Sequence, residues 1–239
     1  MVVCRRAPSM KDQALSTRHE RRRSMDIGPR ISAIEAQERR GNRRSIFVDG
    51  RFALGVDESV VSDLGLRVGQ QIGEDELQRI VRAEQVTKAK ESALRLLDFR
   101  PRSRAEISRK LARAGFGEDV IEETLERLEA LGLIDDGQFA RSWVAHRLAG
   151  KGMGTARIKW ELRRKGVPNE AVDEALSTID DETERRSALE AARRRWVKDS
   201  SADDRTKRRK LAAFLRRQGY DWSVISAVLN ELGMEVEPE

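Results

Sequence analysis

Apolar and polar residues alternate over residues 31–56 of this 239-residue chain. Three short runs have the period of two that is typical of half-buried β-strands: ISAIEAQ, RSIFVDG and RFALGV. Asp49-Gly50, between the last two runs, is a pair that readily adopts the positive φ angles of a two-residue hairpin turn. We therefore predict a small antiparallel sheet over residues 31–56, then a short helix after Asp57 and a second helix in the segment GEDELQRIVRAEQ.

The pattern becomes helical from about Thr87 and then repeats three times. The copies align when Gly115, Gly166 and Gly219 are placed in register, 51 and 53 residues apart. Self-similarity at such a spacing is the signature of stacked helical repeats. Five further apolar positions then coincide: Ile107/Ile158/Leu211, Leu111/Leu162/Leu215, Phe116/Val167/Tyr220, Ile121/Val172/Ile225 and Leu125/Leu176/Leu229.

Each copy predicts three helices. In the second copy, Ile158 and Leu162 share one helix face, and Gly166 allows the left-handed turn that ends such a helix. Val172 and Leu176 have the same spacing on the next helix, and a further helical segment precedes each copy: KAKESALRLLDF, GQFARSWVAHRLA and RRSALEAARRRWV. The predicted fold class is mainly α, with three tandem three-helix repeats that form an elongated arc, preceded by a small α+β segment that contains a β-hairpin.

The domain boundaries follow from these patterns. We expect a disordered basic tail (1–30), a small α+β segment (31–86), three three-helix repeats (87–135, 136–181 and 182–233) and an acidic C-terminal tail (234–239). The basic tail holds eight Lys or Arg against three Asp or Glu. Three interpretations remain open: a contact to nucleic acid, a solvated arm, or an over-long start with Met25 as the real beginning.

Composition favours small stacked units over one large core. The chain has 37% charged and 5% aromatic residues, and its mean hydropathy is −0.64. Cys4 is the single cysteine, which excludes a disulfide framework and a cysteine-rich metal site. No apolar run approaches the roughly 20 residues of a membrane span. We expect a soluble, cytoplasmic protein with no membrane partner.

Charge is segregated within each repeat. Residues 151–165 hold six Lys or Arg against Glu161, whereas residues 169–184 hold seven Asp or Glu and no base. In all three copies the middle helix is basic and the third helix is acidic. Two interpretations remain open: neighbouring repeats pair basic on acidic surfaces, each pair being worth about 0–1 kcal/mol, or the basic faces bind a polyanion or an acidic protein groove.

Trp160 favours a binding surface. It lies roughly 200° around the helix from Ile158, on the face that also carries Arg157 and Arg164. A tryptophan among arginines suits a protein hot spot or a stacked base, and packing on a neighbouring repeat is equally compatible. The other tryptophans are expected in the core: Trp143, Trp196 and Trp222. The candidate partner-binding residues, chosen by charge and helical phase, are Arg109, Arg113, Arg157, Trp160, Arg163, Arg164, Arg216 and Arg217.

Catalytic chemistry has little support in the sequence. Asp135 and Asp136 are a candidate carboxylate pair, but helix N-capping at the repeat junction explains them better. The segment GKGMG lacks the order of a phosphate-binding loop. Two histidines and one cysteine nearly exclude a zinc site. We predict no enzymatic activity, no cofactor and no metal.

A family resemblance lies in three segments: ALRLLDFRPRSRAEISRKLARAGF, GLIDDGQFARSWVAHRL and GTARIKWELRRKGV. Together they resemble the RecX family of bacterial regulators of the RecA recombinase. The resemblance covers residues 87–232, and residues 31–84 are similar to the extension that some members carry. It implies a non-enzymatic modulator that binds along the groove of the RecA filament on DNA and inhibits ATP hydrolysis and strand exchange. We expect the chain to act as a monomer.

Two other functions remain as alternatives. Three-helix units with an arginine-rich middle helix resemble helix-turn-helix domains, so the basic faces could bind DNA directly, with a steep dependence on salt. A metal-dependent nuclease that uses clusters of Asp and Glu is less well supported. The acidic residues of EDVIEETLERLEA have the spacing of a solvated helix face.

Overall fold

The structure is a computed structural model that describes residues 28–37, 40–196 and 203–233 of the chain. Most of the predicted basic tail (residues 1–27) and the predicted acidic tail (residues 234–239) lie outside the described residues. The chain divides into two compact units, of which the first ends at Lys88 and the second begins at Ala89.

The described part of the chain contains three strands and ten helices. Their bounds are β1 (Ile31–Gln37), β2 (Arg40–Val48), β3 (Arg51–Asp57), α1 (Glu58–Asp63), α2 (Glu74–Phe99), α3 (Arg104–Arg113), α4 (Glu118–Ala130), α5 (Asp136–Lys151), α6 (Thr155–Lys165), α7 (Asn169–Ser177), α8 (Asp181–Trp196), α9 (Asp204–Gln218) and α10 (Trp222–Glu231). No helix within these ranges is both long and apolar enough to cross a bilayer.

The first unit is built on the predicted antiparallel sheet, in the order β1-β2-β3. The hairpin between β2 and β3 turns at Asp49 and Gly50, whose φ angles are 48° and 77°, as the sequence predicted. Apolar side chains of one sheet face, with those of α1 and the start of α2, form the core of this unit: Ile31, Ile46, Val56, Val60, Leu66, Ile72 and Ile80.

Helix α2 differs from the sequence prediction. The segments GEDELQRIVRAEQ and KAKESALRLLDF were expected to form separate helices, but they form one helix of 26 residues that continues from the first unit into the second. The helix continues through Thr87 because neither glycine nor proline occurs between Glu74 and Phe99.

Three three-helix repeats make up the second unit, which confirms the predicted mainly α class. The first repeat consists of the end of α2 with α3 and α4, the second of α5, α6 and α7, and the third of α8, α9 and α10. The aligned positions at the start of each middle helix, Ile107, Ile158 and Leu211, are 0%, 0% and 2% exposed. The periodic apolar positions therefore form the repeat cores, as predicted.

Each middle helix ends in the same way. Gly115, Gly166 and Gly219 have φ angles of 90°, 80° and 89°. The residue after each glycine donates its backbone N–H to the carbonyl of the aligned buried leucine, at 3.3 Å for Phe116 on Leu111, 3.2 Å for Val167 on Leu162 and 3.3 Å for Tyr220 on Leu215. This is the left-handed C-terminal turn that the glycine positions predicted.

The middle helices of neighbouring repeats meet end to end. At the junction of the first and second repeats, the N-cap residue Ser103 of α3 donates its hydroxyl to the carbonyl of Lys165, the last residue of α6, at 2.7 Å. At the junction of the second and third repeats, Gly154 precedes α6 and donates its backbone N–H to the carbonyl of Gln218, the last residue of α9, at 2.9 Å. The free N-terminal donors of one helix are thus aligned with the free C-terminal acceptors of the next.

A carboxylate of the following repeat covers the first amide of each docked helix. Asp136 accepts the backbone N–H of Arg104 at 2.9 Å, and Glu184 accepts that of Thr155 at 2.8 Å. Asp135 caps its own helix by accepting the N–H of Gln138 at 2.8 Å. Asp135 and Asp136 are therefore helix caps at the repeat junction, as predicted; burial raises the pKa of Asp136.

An ion-pair cluster closes the first junction. Glu106 of α3 accepts hydrogen bonds from Lys165 Nζ at 2.9 Å and from Arg100 at 3.1 Å. Burial raises the pKa of this carboxyl, but the hydrogen bonds and positive charges of Arg100 and Lys165 outweigh burial and lower the pKa to about 2. Glu106 is therefore ionised at neutral pH and links the two repeats.

We predict that alanine at Gly219 destabilises the protein more than alanine at Gly115. Both variants place a β-carbon at a positive φ angle, which costs about 1 kcal/mol. At Gly219 the added carbon would also lie 2.5 Å from the backbone nitrogen of Arg157, whereas at Gly115 nothing lies within 4 Å. Urea denaturation should show losses of about 1 kcal/mol for Gly115→Ala and about 2–4 kcal/mol for Gly219→Ala. Equal losses would contradict end-to-end docking.

The second prediction concerns acid stability. Because Glu106 has its pKa lowered from 4.5 to about 2 in the folded protein, its stabilisation is complete above about pH 5 and is lost as pH falls toward 2. Glu106→Gln should cost about 1–2 kcal/mol at pH 7, after allowance for solvent screening, and the difference from wild type should shrink toward pH 2.

Glu91→Gln is the matched control for this series. The Glu91 carboxylate lies 3.9 Å from Arg95 on an exposed helix face, so its neutralisation should change the free energy of unfolding by a few tenths of a kcal/mol at any pH. The effect of Glu106→Gln is measured by denaturant unfolding from pH 2 to pH 7. An effect that does not change with pH would contradict the role of Glu106 as an ionised carboxylate that links the two repeats.

Candidate partner-binding surface

Two of the eight predicted partner-binding residues hold neighbouring repeats together. Arg109 donates from its guanidinium to the carbonyl of Lys165 at 3.0 Å and to that of Arg164 at 3.5 Å. Arg157 donates to the carbonyl of Arg217 at 3.0 Å and to the side chain of Gln218 at 3.3 Å. Each arginine therefore places its positive charge on the C-terminus of the next middle helix, where the helix dipole favours a cation.

The other six predicted residues are exposed and lie on the middle helices: Arg113 on α3, Trp160, Arg163 and Arg164 on α6, and Arg216 and Arg217 on α9. Three of these arginines occupy one register position, two residues before the glycine that ends each helix: Arg113, Arg164 and Arg217. This position is two residues, roughly 200°, from the buried leucine of the same helix and therefore faces away from the core. We call Arg113, Arg164 and Arg217 the register arginines.

The register arginines keep their charge uncompensated by carboxylates. Among the described residues, none of the three forms an ion pair with a carboxylate. Basic residues in the first half of the middle helices behave differently: Arg104 pairs with Glu122 and Glu129 of α4, and Lys159 pairs with Asp173 of α7 at 2.6 Å. Basic and acidic helices are thus paired mainly within a repeat, not between neighbouring repeats as one interpretation of the sequence proposed.

Trp160 is 55% exposed, and the Arg164 guanidinium lies 4.6 Å from the centre of its ring. Trp222, which we expected in the core, is also 55% exposed. Its register explains the error, because Glu118 and Asn169 stand at the same distance after their glycines and are exposed as well. Trp196 is half-buried against the core of the third repeat.

A cavity of about 370 Å³ opens at the junction of the first and second repeats. We call it the junction pocket. Its walls are two indoles (Trp143 and Trp160), four cations (Arg109, Arg147, Arg164 and Lys165) and two carboxylates (Glu106 and Glu161).

Trp143 forms the inner wall of the junction pocket. Its indole N–H donates to Glu161 at 3.0 Å, and its ring stacks on Phe139 with centroids 5.8 Å apart. Arg147 and Lys165 each place a positive group 4.2 Å from the ring centre. The half-buried Trp143 is thus fixed by cation–π contacts and by a hydrogen bond rather than by an apolar core alone.

Sequence reasoning missed five residues of this pocket: Glu106, Trp143, Arg147, Glu161 and Lys165. Charge and helical phase describe one helix at a time, and the pocket is formed by three helices of two repeats. The end-to-end docking of α3 on α6 brings Glu106 to Lys165 across 59 positions of sequence. The repeat register could have indicated this contact only in combination with the docking geometry, which the sequence does not show.

Within residues 28–37, 40–196 and 203–233, no group of three or more His, Cys, Asp or Glu side chains is placed to hold a metal ion. Asp135 and Asp136 serve instead as helix caps, and Glu106 serves as an ion-pair partner.

Comparison with known families gives four matches in chain order. The N-terminal domain of regulatory protein RecX matches residues 29–73, and the first, second and third three-helix domains of RecX match residues 89–128, 135–176 and 182–229.

Similar proteins and solved structures carry the name RecX. Regulatory protein RecX of Clostridioides difficile is 31% identical over 202 residues, which cover 84% of this chain and 95% of that protein. Regulatory protein RecX of Amycolatopsis mediterranei is 37% identical over 156 residues, which cover 64% of this chain and 89% of that protein. A crystal structure of regulatory protein RecX aligns with a TM-score of 0.73 at 29% identity, covering 84% of this chain and 99% of that one. The crystal structure of RecX from Lactobacillus salivarius aligns with a TM-score of 0.58 at 27% identity, and the alignment covers 63% of this chain and 98% of that one.

The four family matches include most of the sheet-containing unit and all three repeats of this chain. The resemblance predicted from the three sequence segments is therefore confirmed, and the chain belongs to the RecX family of regulatory proteins.

Proposed function

We propose that this protein is a non-enzymatic regulator that binds the RecA recombinase filament and inhibits its ATP hydrolysis and strand exchange. The observation that carries the proposal is membership of the RecX family, with matched family domains from residue 29 to residue 229. A monomer acting in the cytoplasm, where recombination filaments form on the bacterial chromosome, is part of the same proposal.

The register arginines, together with Trp160, Arg163 and Arg216, are the proposed contacts to the filament. Their exposure and their uncompensated charge support this choice, because a row of cations at repeated intervals suits a partner that repeats its own subunits. Arg109 and Arg157 were chosen with them on charge and phase. Both donate to carbonyls inside the protein, so we assign them to the integrity of the repeat stack instead.

Binding of duplex DNA by helix-turn-helix units has weaker support than binding of the RecA filament. A recognition helix contacts base edges through its N-terminal residues, which must enter the major groove. The N-termini of α3 and α6 are covered by the next repeat, at Lys165 and Gln218 respectively. The acidic third helices would in addition repel the phosphates that flank the groove.

The proposal predicts inhibition of the cognate recombinase in a steady-state ATPase assay on single-stranded DNA. Titration with this protein at fixed salt should lower ATP hydrolysis. A fall at substoichiometric protein would indicate that filament ends are blocked, and a fall only near saturation would indicate coating of the groove. Unchanged hydrolysis over the whole titration, with protein that is folded by circular dichroism, would contradict the proposed function.

Charge reversal of the register arginines should weaken inhibition. We expect Arg113→Glu, Arg164→Glu and Arg217→Glu, combined in one variant, to raise the concentration required for half-inhibition by tenfold or more, because three uncompensated cations become anions. Thermal unfolding should change little, since all three side chains are exposed.

The matched control reverses three exposed arginines away from the middle helices: Arg51→Glu, Arg67→Glu and Arg193→Glu. Its net charge changes by the same amount, so a general electrostatic effect would weaken both variants equally. Equal losses, or full inhibition by the register variant, would show that the middle helices do not carry the contact.

A further inference from the structure

The junction pocket has a surplus of positive charge. Four cationic and two anionic side chains line it, which leaves a formal charge of +2. Both carboxylates are already neutralised by contacts of their own: Glu106 by Lys165 and Arg100, and Glu161 by Arg147 at 2.7 Å. Arg109 and Arg164 are therefore the two cations of the pocket that have no carboxylate partner among the described residues, and the pocket suits an anionic ligand.

Hydrogen-bond donors remain available at the same two arginines. Arg109 uses its Nε, Nη1 and Nη2 once each, on the carbonyls of Ala105, Arg164 and Lys165. A guanidinium carries five N–H groups, so two remain for a ligand. The Arg164 guanidinium lies 4.6 Å from the ring centre of Trp160, and no hydrogen bond from it to a described residue competes with bidentate contact to a phosphate.

The pocket also offers an aromatic platform. Trp160 is more than half exposed at the rim, while Trp143 is fixed at the inner wall. An isolated anion such as a carboxylate gains nothing from an exposed indole, whereas a nucleotide combines a π-face with a phosphate. The volume of about 370 Å³ is at the lower end of the range for small ligand sites, which suits one base with its sugar.

We propose that the junction pocket binds one nucleotide of single-stranded nucleic acid, with the base stacked on Trp160 and a neighbouring phosphate bound by Arg164 and Arg109. The proposal goes beyond inhibition of the recombinase, because it requires no partner protein. A single strand is favoured over a free nucleotide because Arg113 and Arg217 stand at the register of Arg164 on the two neighbouring middle helices and are open to further phosphates. A duplex would keep its bases stacked and out of reach of Trp160.

The first test measures binding of a fluorescently labelled (dT)12 oligonucleotide to the full chain by anisotropy at low salt, with no recombinase present. Trp160→Ala should weaken binding at least fivefold, since the loss of one base-stacking contact has this size. Trp222→Ala is the matched control, because Trp222 is also 55% exposed, and it should bind as wild type does. Equal affinity of Trp160→Ala and wild type, or equal losses in both variants, would overturn the proposal.

The second test separates phosphate binding from structural damage. Arg164→Gln should make the logarithm of the binding constant less steep in the logarithm of salt concentration, by about 0.7 for one phosphate contact on a single strand. Arg193→Gln, at an exposed position on α8, should leave the slope unchanged. Circular dichroism melting curves of all variants should match wild type, and a slope unchanged in Arg164→Gln would overturn the phosphate assignment.

Two competing occupants give different results. Thymidine monophosphate that competes with (dT)12 at equal concentration would show that the pocket takes a free nucleotide, and the single-strand proposal would fall. Absence of (dT)12 binding, together with weaker binding of Trp160→Ala to DNA-free recombinase, would show that the pocket takes a protein side chain. The ATPase assay tests the proposed regulation of RecA separately. A negative result with (dT)12 would therefore contradict the nucleotide site and leave the proposed regulation standing.

Discussion

End-to-end docking of the middle helices is the constraint on which the second unit depends. A helix leaves N–H groups unsatisfied at its start and carbonyls unsatisfied at its end, and here each set faces the other across a repeat junction. Glycine is required at the contact because a β-carbon on Gly166 would lie 2.4 Å from Cβ of Ala105. The same residue type that ends the helix by its positive φ angle also allows the close approach of the next one. Arg109 and Arg157 then neutralise the negative ends of the dipoles.

The two ends of the stack differ from its interior. Helix α9 begins at Asp204, 15 residues before its glycine, whereas α3 and α6 begin 11 residues before theirs. The difference of four residues is about one extra turn, at the place where α3 and α6 present a short N-terminus to the next repeat. At the opposite end, Gly115 has the conformation of the docked glycines but has no atom within 4 Å of the position of an added Cβ. The start of α9 therefore differs in length from the helix starts that receive a neighbouring repeat.

Local spacing decided which features could be predicted from sequence. The hairpin at Asp49-Gly50, the glycine turns and the buried aligned positions all depend on residues close together in the chain, and each was predicted correctly. The contacts of Arg109 and Arg157 could not be predicted, because helical phase identifies a solvent-facing side chain but not the carbonyls of the neighbouring repeat to which it donates. The error at Trp222 has a similar origin, since its apolar character suggested burial while its register position is exposed in all three repeats. The junction pocket requires both the repeat register and the docking geometry, and neither is contained in a single helix.

The docking also explains how residues 31–239, which hold 39 basic and 38 acidic side chains, can present a basic surface. Acidic third helices neutralise the first half of the middle helices, through Arg104 with Glu122 and Lys159 with Asp173. The second halves of α6 and α9 lie next to a junction, whereas the second half of α3 lies at the undocked end of the stack. At the two junctions the carbonyls receive Arg109 and Arg157, and the register arginines have no carboxylate partner among the described residues. Arg164 and Arg217 thus place positive charge beside the two junctions, and Trp160 and the junction pocket lie at the first of them. Because junction and surface share residues, a ligand bound across the first junction would contact both repeats and favour their docked arrangement over any other.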